Sequence, residues 1–216
     1  MRILVDPGHG LYYKENEYVF QRPFFDDMVE DLETVYFARS FCNKLSEYDV
    51  ELFVTRDIYE DEIGISNKPK FYEGAWCFLK ECEVIDNDMY RHDVNIRWDY
   101  ANNLNADLFL SFHFNASNGS RRGTEIYINQ KNKITRDLAN IYSQHLRAEM
   151  PISYFPDIRI LDGMDYAVIK YSTMSAMLIE LLFIDNEKDR LLMNDFIYNL
   201  MSDMLVLTIT NYFGIL

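Results

Sequence analysis

Two apolar segments of the sequence each end at a histidine. Residues 3–5 lead into an Asp-Pro-Gly-His-Gly turn at 6–10, and residues 108–112 lead directly into His113. A nearly continuous apolar strand is typical of a parallel sheet covered on both faces, as in α/β domains. Such domains place their chemistry at the carboxyl ends of the strands, so His9 and His113 are expected to share a cleft. The glycines around His9 are expected to let the backbone bend and leave the imidazole accessible.

Strand and helix patterns alternate along the chain. They predict a single three-layer α/β domain over residues 1–216, with a mostly parallel central sheet flanked by helices. Strands are predicted at 2–5, 50–54, 108–112, 124–128 and 175–182, and helices at 28–46, 92–105, 134–150, 187–194 and 195–212. Residues 11–27 are predicted to be a loop. Residues 58–91 follow no period and are predicted to be an insertion, either a packed subdomain or an aromatic wall of a binding groove.

Composition and the pattern of apolar segments argue against a nucleic-acid partner, a membrane-spanning segment, a signal peptide and a disulfide framework. The formal charge of −14 argues against a nucleic-acid partner, because phosphate binding needs clustered basic residues and the only compact cluster is Arg121-Arg122. No apolar run is long enough to cross a bilayer, so no membrane insertion is expected. No charged and apolar leader precedes the first strand, so no cleavable signal peptide is expected. The 3 cysteines have no regular spacing and do not indicate a disulfide framework.

The paired histidines indicate a metal site. Catalytic zinc is held by three protein ligands and keeps one position for water. A single histidine is more often a surface or core residue, but two in matching positions favour ligation. The third ligand is expected at the start of the 28–46 helix, where Glu30 and Glu33 are both available. Acidic residues are also common in a first helical turn simply because the helix dipole favours them there.

Glu180 lies in the middle of the apolar run at 176–183. An unpaired carboxylate is costly to bury, so this residue is expected to be either paired or functional. In the structural case, backbone donors or an arginine satisfy it. In the functional case, it exchanges a proton with a water molecule whose pKa zinc lowers to about 7.

Four blocks of the sequence, taken in order, resemble the zinc-dependent N-acetylmuramoyl-L-alanine amidases of the type 3 family. They are residues 3–10, Glu30 with the segment to 57, residues 97–127, and residues 178–186. The resemblance implies a peptidoglycan hydrolase that cleaves the amide bond between N-acetylmuramic acid and the L-alanine of the stem peptide. It implies one zinc ion per chain, bound by His9, Glu30 and His113, and it implies that Glu180 is the catalytic carboxylate. Glu30 is favoured over Glu33 because its spacing to Ala38 fits the family's motif.

The chain departs from the family's usual pattern in three places. The stretch between His9 and Glu30 is longer, Leu182 stands where a glycine is usual, and residues 58–91 have no counterpart. Without a visible signal or wall-binding repeat, the chain fits a phage-type endolysin that is made in the cytoplasm and released to act on the cell wall. An exported bacterial enzyme is the competing setting. A catalytically silent module that binds muropeptide in the same cleft is the alternative function.

Overall fold

Strands and helices alternate through the part of the chain that the structure describes. A computed structural model describes residues 1–9, 11–14, 17–20, 24–25, 28–55, 88–150 and 157–215. The strands are β1 (Arg2–Pro7), β2 (Leu11–Lys14), β3 (Glu17–Phe20), β4 (Phe24–Phe25), β5 (Met28–Val29), β6 (Glu51–Val54), β7 (Leu108–Asn115), β8 (Thr124–Ile128), β9 (Ile158–Asp162) and β10 (Ser175–Phe183). The helices are α1 (Glu30–Leu45), α2 (Asp88–Leu104), α3 (Lys133–Glu149), α4 (Ala167–Lys170), α5 (Glu187–Arg190) and α6 (Asp195–Phe213).

Six of these strands form the central sheet, in the order β6-β1-β7-β10-β8-β9. Every neighbouring pair is parallel except β10 and β8, which run antiparallel. The prediction of a mostly parallel sheet is therefore confirmed. Because β1, β7 and β10 are adjacent and parallel, their carboxyl ends meet at one edge of the sheet.

Helices cover both faces of the sheet, which confirms the predicted three-layer architecture. On one face α1, α3 and α6 bury a large core that includes Phe41, Tyr142 and Leu205. On the other face α2 and α4 bury a smaller core, which Ala101 and Val168 exemplify. Helix α4 is a single turn of four residues.

Helix α1 begins abruptly after the short strand β5. Its N-cap residue, Val29, contributes no side-chain cap, and the first turn carries Glu30, Asp31 and Glu33. Acidic residues at this end interact favourably with the helix dipole, which partly replaces the missing cap. The predicted helix at 28–46 is thus shorter by two residues at its start, and Glu30 becomes its first residue.

Several short elements differ from the prediction. The predicted loop at 11–27 contains the antiparallel pair β2–β3 and the strand β4, which pairs with β5, and β9 and α4 have no predicted counterpart. Strand β9 is an edge strand of five residues in which Ile158 is buried and the next three residues are half-buried, and so short a segment is a weak signal in a sequence. Within the predicted insertion at 58–91, only residues 88–91 are described, and they begin α2. The proposed groove wall lies outside the described residues, as do Cys77 and Cys82. None of the described helices is long and apolar enough to cross a membrane.

Candidate active site

The turn after β1 holds His9 in an unusual backbone conformation. Its φ is 58°, in the left-handed region that few residues other than glycine adopt. Arg97 of α2 fixes this turn: Nη2 donates to the His9 carbonyl at 2.6 Å, and Nη1 donates to the Pro7 carbonyl at 3.2 Å. The same guanidinium forms an ion pair with Asp6 at 2.5 Å. A buried arginine therefore ties α2 to the loop that presents the first histidine.

Gly8 is required for close packing against the second histidine. A Cβ atom at this position would lie 2.2 Å from Cε1 of His113. Gly8 therefore makes room for the His113 ring, and His9 itself has the left-handed conformation, whereas Gly10 lies outside the described residues. The Gly8 N–H also donates to the Phe112 carbonyl at 2.8 Å, which holds the two strand ends together.

Glu30, the first residue of α1, reaches both imidazoles. Its Oε1 lies 3.0 Å from Nε2 of His9 and 3.2 Å from Nδ1 of His113, and it accepts the Phe114 N–H at 3.1 Å. Burial raises the pKa of Glu30, but the hydrogen bonds and charges of the two imidazoles outweigh burial and hold the pKa well below its ordinary value. The carboxylate is therefore anionic at neutral pH.

The three side chains form a compact group that could hold a metal ion. The remaining edge, from His113 Nδ1 to His9 Nε2, is 3.1 Å. Zinc bonds of roughly 2.0–2.1 Å at a tetrahedral angle require ligand atoms about 3.3 Å apart. The observed edges of 3.0, 3.1 and 3.2 Å need only a small expansion. Two imidazole nitrogens and one carboxylate oxygen are also ligands that zinc commonly takes.

Glu33 does not join this group. It lies further along α1, where its carboxylate accepts a hydrogen bond from the hydroxyl of Tyr198 in α6. Burial raises the pKa of Glu33, and the neighbouring Asp195 adds to the effect. Of the two acids that the sequence offered as third ligand, the structure brings Glu30 to the histidines and directs Glu33 toward α6.

Negative charge accumulates around His113. Burial lowers its pKa, but the hydrogen bond to Glu30 and the charges of Glu180, Glu30 and Asp6 outweigh burial and raise it. The same charges favour any cation at this position, a proton or a metal ion alike. Asp6 itself is held by Arg97 and by the hydroxyls of Thr55 and Ser111, at 2.5 and 2.7 Å.

Glu180 lies on β10 beside the group of His9, Glu30 and His113. It is paired in register with His113 on β7, so the two side chains project from the same face of the sheet. The register shifts between Glu180 and Phe183, and Leu182 is fully buried within that irregularity. The β10 backbone thus accommodates leucine where the family usually has glycine, and Glu180 still faces the cleft.

The group and Glu180 line one cleft of about 660 Å³. This volume lies within the range of about 300–1,000 Å³ that is typical of ligand sites. The cleft combines polar groups, at the end where His9, Glu30 and His113 lie, with apolar walls. The apolar wall residues include Phe25, Val94, Tyr166, Val168 and Ile184.

Sequence reasoning missed two buried carboxylates of this region. Asp6 forms the buried pair with Arg97, and burial, which raises its pKa, is outweighed by that arginine and the two hydroxyls, so the pKa is lowered. Glu125 is fully buried on β8, directly opposite Glu180. In both cases the sequence shows a charged residue within or directly after an apolar strand, which indicates a buried carboxylate. The sequence does not show which side chains form hydrogen bonds or ion pairs with it.

Known proteins resemble this chain in sequence and in structure. The sequence profile of the N-acetylmuramoyl-L-alanine amidase family matches residues 3–210. No curated protein sequence matches the chain significantly. Similar solved structures are the catalytic domain of the amidase CwlV from Bacillus (Paenibacillus) polymyxa var. colistinus and the CwlD amidase from Clostridioides difficile, solved in complex with the GerS lipoprotein. The third is the catalytic domain of the CD27L endolysin, which targets Clostridia difficile.

The likeness to these structures extends over nearly the whole chain. CwlV is 19% identical with a TM-score of 0.67, and CwlD is 17% identical with a TM-score of 0.72; each match covers 99% of this chain and 98% of the other. CD27L is 15% identical with a TM-score of 0.65, covering 98% of this chain and 97% of that one. At these identities the likeness shows a shared fold.

Proposed function

Because the chain belongs to the N-acetylmuramoyl-L-alanine amidase family, we propose that it is a zinc-dependent peptidoglycan hydrolase. The bond to be cleaved is the amide between N-acetylmuramic acid and the L-alanine of the stem peptide. The observation that carries the proposal is the convergence of His9, Glu30 and His113 in the cleft that Glu180 also lines.

One zinc ion per chain would be held by Nε2 of His9, Oε1 of Glu30 and Nδ1 of His113. A bound zinc ion supplies Lewis acidity, which polarises a carbonyl and makes water acidic near neutral pH. The side chains are held in place before binding. Arg97 fixes the His9 turn, the Phe114 N–H orients the Glu30 carboxylate, and Gly8 allows the His113 ring to approach. Such outer contacts commonly set the orientation of metal ligands.

Glu180 is assigned the proton transfers. It is not part of the three-residue ligand group, and it projects into the cleft from the strand next to His113. A carboxylate in this position can accept the proton of the attacking water and deliver it to the nitrogen of the leaving amine. The products are a free lactyl carboxylate on the sugar and a free amino terminus on the peptide.

The test combines metal analysis with digestion of purified cell wall. The zinc-loaded protein is expected to contain one zinc per chain and to release new L-alanine amino termini, identified by mass spectrometry. The His113→Ala variant should lose both zinc and turnover, whereas the exposed Arg136→Ala variant should keep both. Stoichiometric zinc and muropeptide binding without new termini would instead establish the silent binding module.

We further propose that the protein acts on the cell wall in the manner of an endolysin. The catalytic domain of the CD27L endolysin has this fold, as do the amidases CwlV and CwlD, so a lysis experiment tests the setting. Expression in the cytoplasm should leave cells intact until a membrane-permeabilising protein is co-expressed, and lysis should then follow. Lysis without that second protein would favour an enzyme exported by its own route.

A further inference from the structure

A row of charged side chains crosses the carboxyl edge of the sheet. His113 on β7 is paired in register with Glu180 on β10, and Glu180 is paired with Glu125 on β8. Glu125 is in turn paired with Arg159 on β9. Directly opposed residues project from the same face of a sheet. The row therefore leads from the metal-binding group past Glu180 to the edge strand.

Glu125 gathers two arginines at the far end of this row. Its Oε1 accepts from Arg121 Nη2 at 2.6 Å and from Arg159 Nε at 3.0 Å. Its Oε2 accepts from Asn115 Nδ2 at 2.6 Å and from the Tyr127 hydroxyl at 2.7 Å. Four donors thus satisfy both oxygens of a fully buried carboxylate, which makes Glu125 an anchor for the two guanidinium groups.

The two arginines differ in the donors that they still offer. Arg159 also donates from Nη1 to Asp157 at 2.9 Å and from Nη2 to the Arg122 carbonyl at 3.4 Å. In the described part of the chain, Arg121 donates only from Nη2, and its side chain is 47% exposed. Its guanidinium is also held 5.6 Å from the ring of Phe183. Arg121 is therefore an oriented cation whose Nε and Nη1 remain available to an anion.

We propose that Arg121 forms a subsite for a carboxylate of the substrate's peptide, an inference that rests on the amidase function proposed above. The N–H donors of a planar guanidinium point in fixed directions, so either Nε or Nη1 can donate one charge-assisted hydrogen bond to a carboxylate. Arg122, its neighbour in the basic cluster, is turned inward to the fully buried Asp189 at 2.9 Å. In a chain of net charge −14, Arg121 is thus a localised positive feature rather than part of a general positive field.

The spacing of the strands sets the distance from the scissile bond. Two strand spacings of about 4.8 Å separate β7 from β8, where Arg121 is anchored, so the subsite lies roughly 10 Å from the strand of His113. An extended peptide advances by about 3.3–3.6 Å per residue. The carboxylate that Arg121 binds therefore lies about three residues from the scissile amide, on the side of the leaving amine.

Two synthetic substrates of equal length test this subsite. Both are N-acetylmuramoyl tripeptides with uncharged second and third residues, and they differ only in ending as a carboxylate or as a carboxamide. For the zinc-loaded protein, kcat/KM is expected to be about tenfold higher for the carboxylate, as one charge-assisted contact on a part-exposed arginine allows. The preference should shrink as salt is added, because part-exposed charges are screened.

Variants separate a direct contact from a general charge effect. In Arg121→Ala the ratio of the two kcat/KM values is expected to fall to about one, and Arg121→Lys should retain part of the preference. The matched control is Arg136→Ala, which removes one exposed arginine on α3 and should keep the full ratio. Thermal unfolding checks that each variant is folded. A ratio near one in the unaltered protein, or an undiminished ratio in Arg121→Ala, overturns the subsite.

Binding measurements test the subsite independently of catalysis. If neither substrate is cleaved, the proposed hydrolase function fails. Calorimetry then compares the affinities of the protein for the two substrates. Tighter binding of the carboxylate that disappears in Arg121→Ala supports the subsite even then. Equal binding of both substrates overturns it, whereas cleavage without a carboxylate preference overturns the subsite and leaves the hydrolase function standing.

Discussion

Gly8→Ala is expected to disable the active site while the fold survives. The new Cβ would lie 2.2 Å from Cε1 and 2.3 Å from Nε2 of His113, where an ordinary contact begins at 3.4 Å. The ring must therefore recede by about 1.2 Å, the difference between 3.4 Å and 2.2 Å. The His113 ring is expected to move rather than the turn that contains Gly8, because hydrogen bonds hold this turn. The Gly8 N–H donates to the Phe112 carbonyl, and Arg97 donates to the carbonyls of Pro7 and His9.

The expected losses of stability and of zinc-dependent activity both follow from the displacement of the His113 ring. Overpacking of a well-packed region typically costs about 1–3 kcal/mol of unfolding free energy. A shift of roughly 1 Å is far larger than the tolerance of about 0.2 Å on metal–ligand distances. We therefore expect zinc affinity to fall by at least about 10–100-fold, the usual effect of disturbing a ligand's support. Turnover should fall by about 100-fold even at saturating zinc, as an ångström-scale misplacement does elsewhere.

Gly214→Ala provides the matched control for this prediction. Gly214 follows α6 with a φ of 65°, and a Cβ atom added there would meet nothing within 4 Å among the described residues. Alanine there costs about 1–2 kcal/mol of backbone strain without touching the site. Zinc titration, turnover and denaturant unfolding on both variants then separate instability from site damage. Gly8→Ala with zinc affinity and turnover equal to those of Gly214→Ala would refute the packing argument.

Three further changes probe the site's carboxylates. Glu180→Gln should keep zinc and fold but lose about 10²–10⁴-fold in turnover per zinc-loaded molecule; a loss below about tenfold would exclude Glu180 as the proton carrier. Asp6→Asn leaves the buried Arg97 without its carboxylate and should cost about 3–5 kcal/mol in urea unfolding; a cost below about 1 kcal/mol would show that the pair is dispensable. Glu33→Gln tests how the ionisation of Glu33 affects stability. The pKa of Glu33 is raised in the folded state. Its ionisation therefore destabilises the fold as the pH rises above the ordinary glutamate pKa of 4.5. The variant should therefore gain stability relative to the parent between acid and neutral pH, and a pH-independent difference would contradict the assigned burial effect.

The meeting of His9 and His113 is predictable because it depends on a general property of the fold. His9 follows β1 and His113 lies near the carboxyl end of β7, and these two strands are adjacent and parallel, so their carboxyl ends coincide. The choice between Glu30 and Glu33 is not predictable from helix position alone, since both acids occupy the first turn of α1. It depends on tertiary contacts, which bring Glu30 to the two histidines and Glu33 to Tyr198 of α6.

The hydrogen bonds and ion pairs that support the site cannot be predicted from the sequence, because they join residues that are far apart along the chain. Arg97 and Asp6 are 91 residues apart, and Glu125 and Arg159 are 34 apart. Periodicity reports on neighbours within a helix or strand, whereas these pairs depend on which strands become neighbours in the sheet. The left-handed conformation of His9 is likewise invisible, because the glycine beside it is the residue that usually adopts it.

The sheet register assigns different tasks to the two facing carboxylates, Glu180 and Glu125. Like charges directly opposite each other on antiparallel strands are destabilising, so this pair needs compensation. Glu125 receives it from two arginines, an amide and a phenol, and it is fully buried, which leaves it unsuited to exchange protons with a substrate. Glu180 lines the cleft instead. The arginines that neutralise Glu125 thus reduce the repulsion on Glu180 and, through Arg121, carry positive charge to the surface. Arg159→Ala should therefore lower the free energy of unfolding, measured in urea, because the buried Glu125 loses one of its two cations; an unchanged value would contradict this compensation.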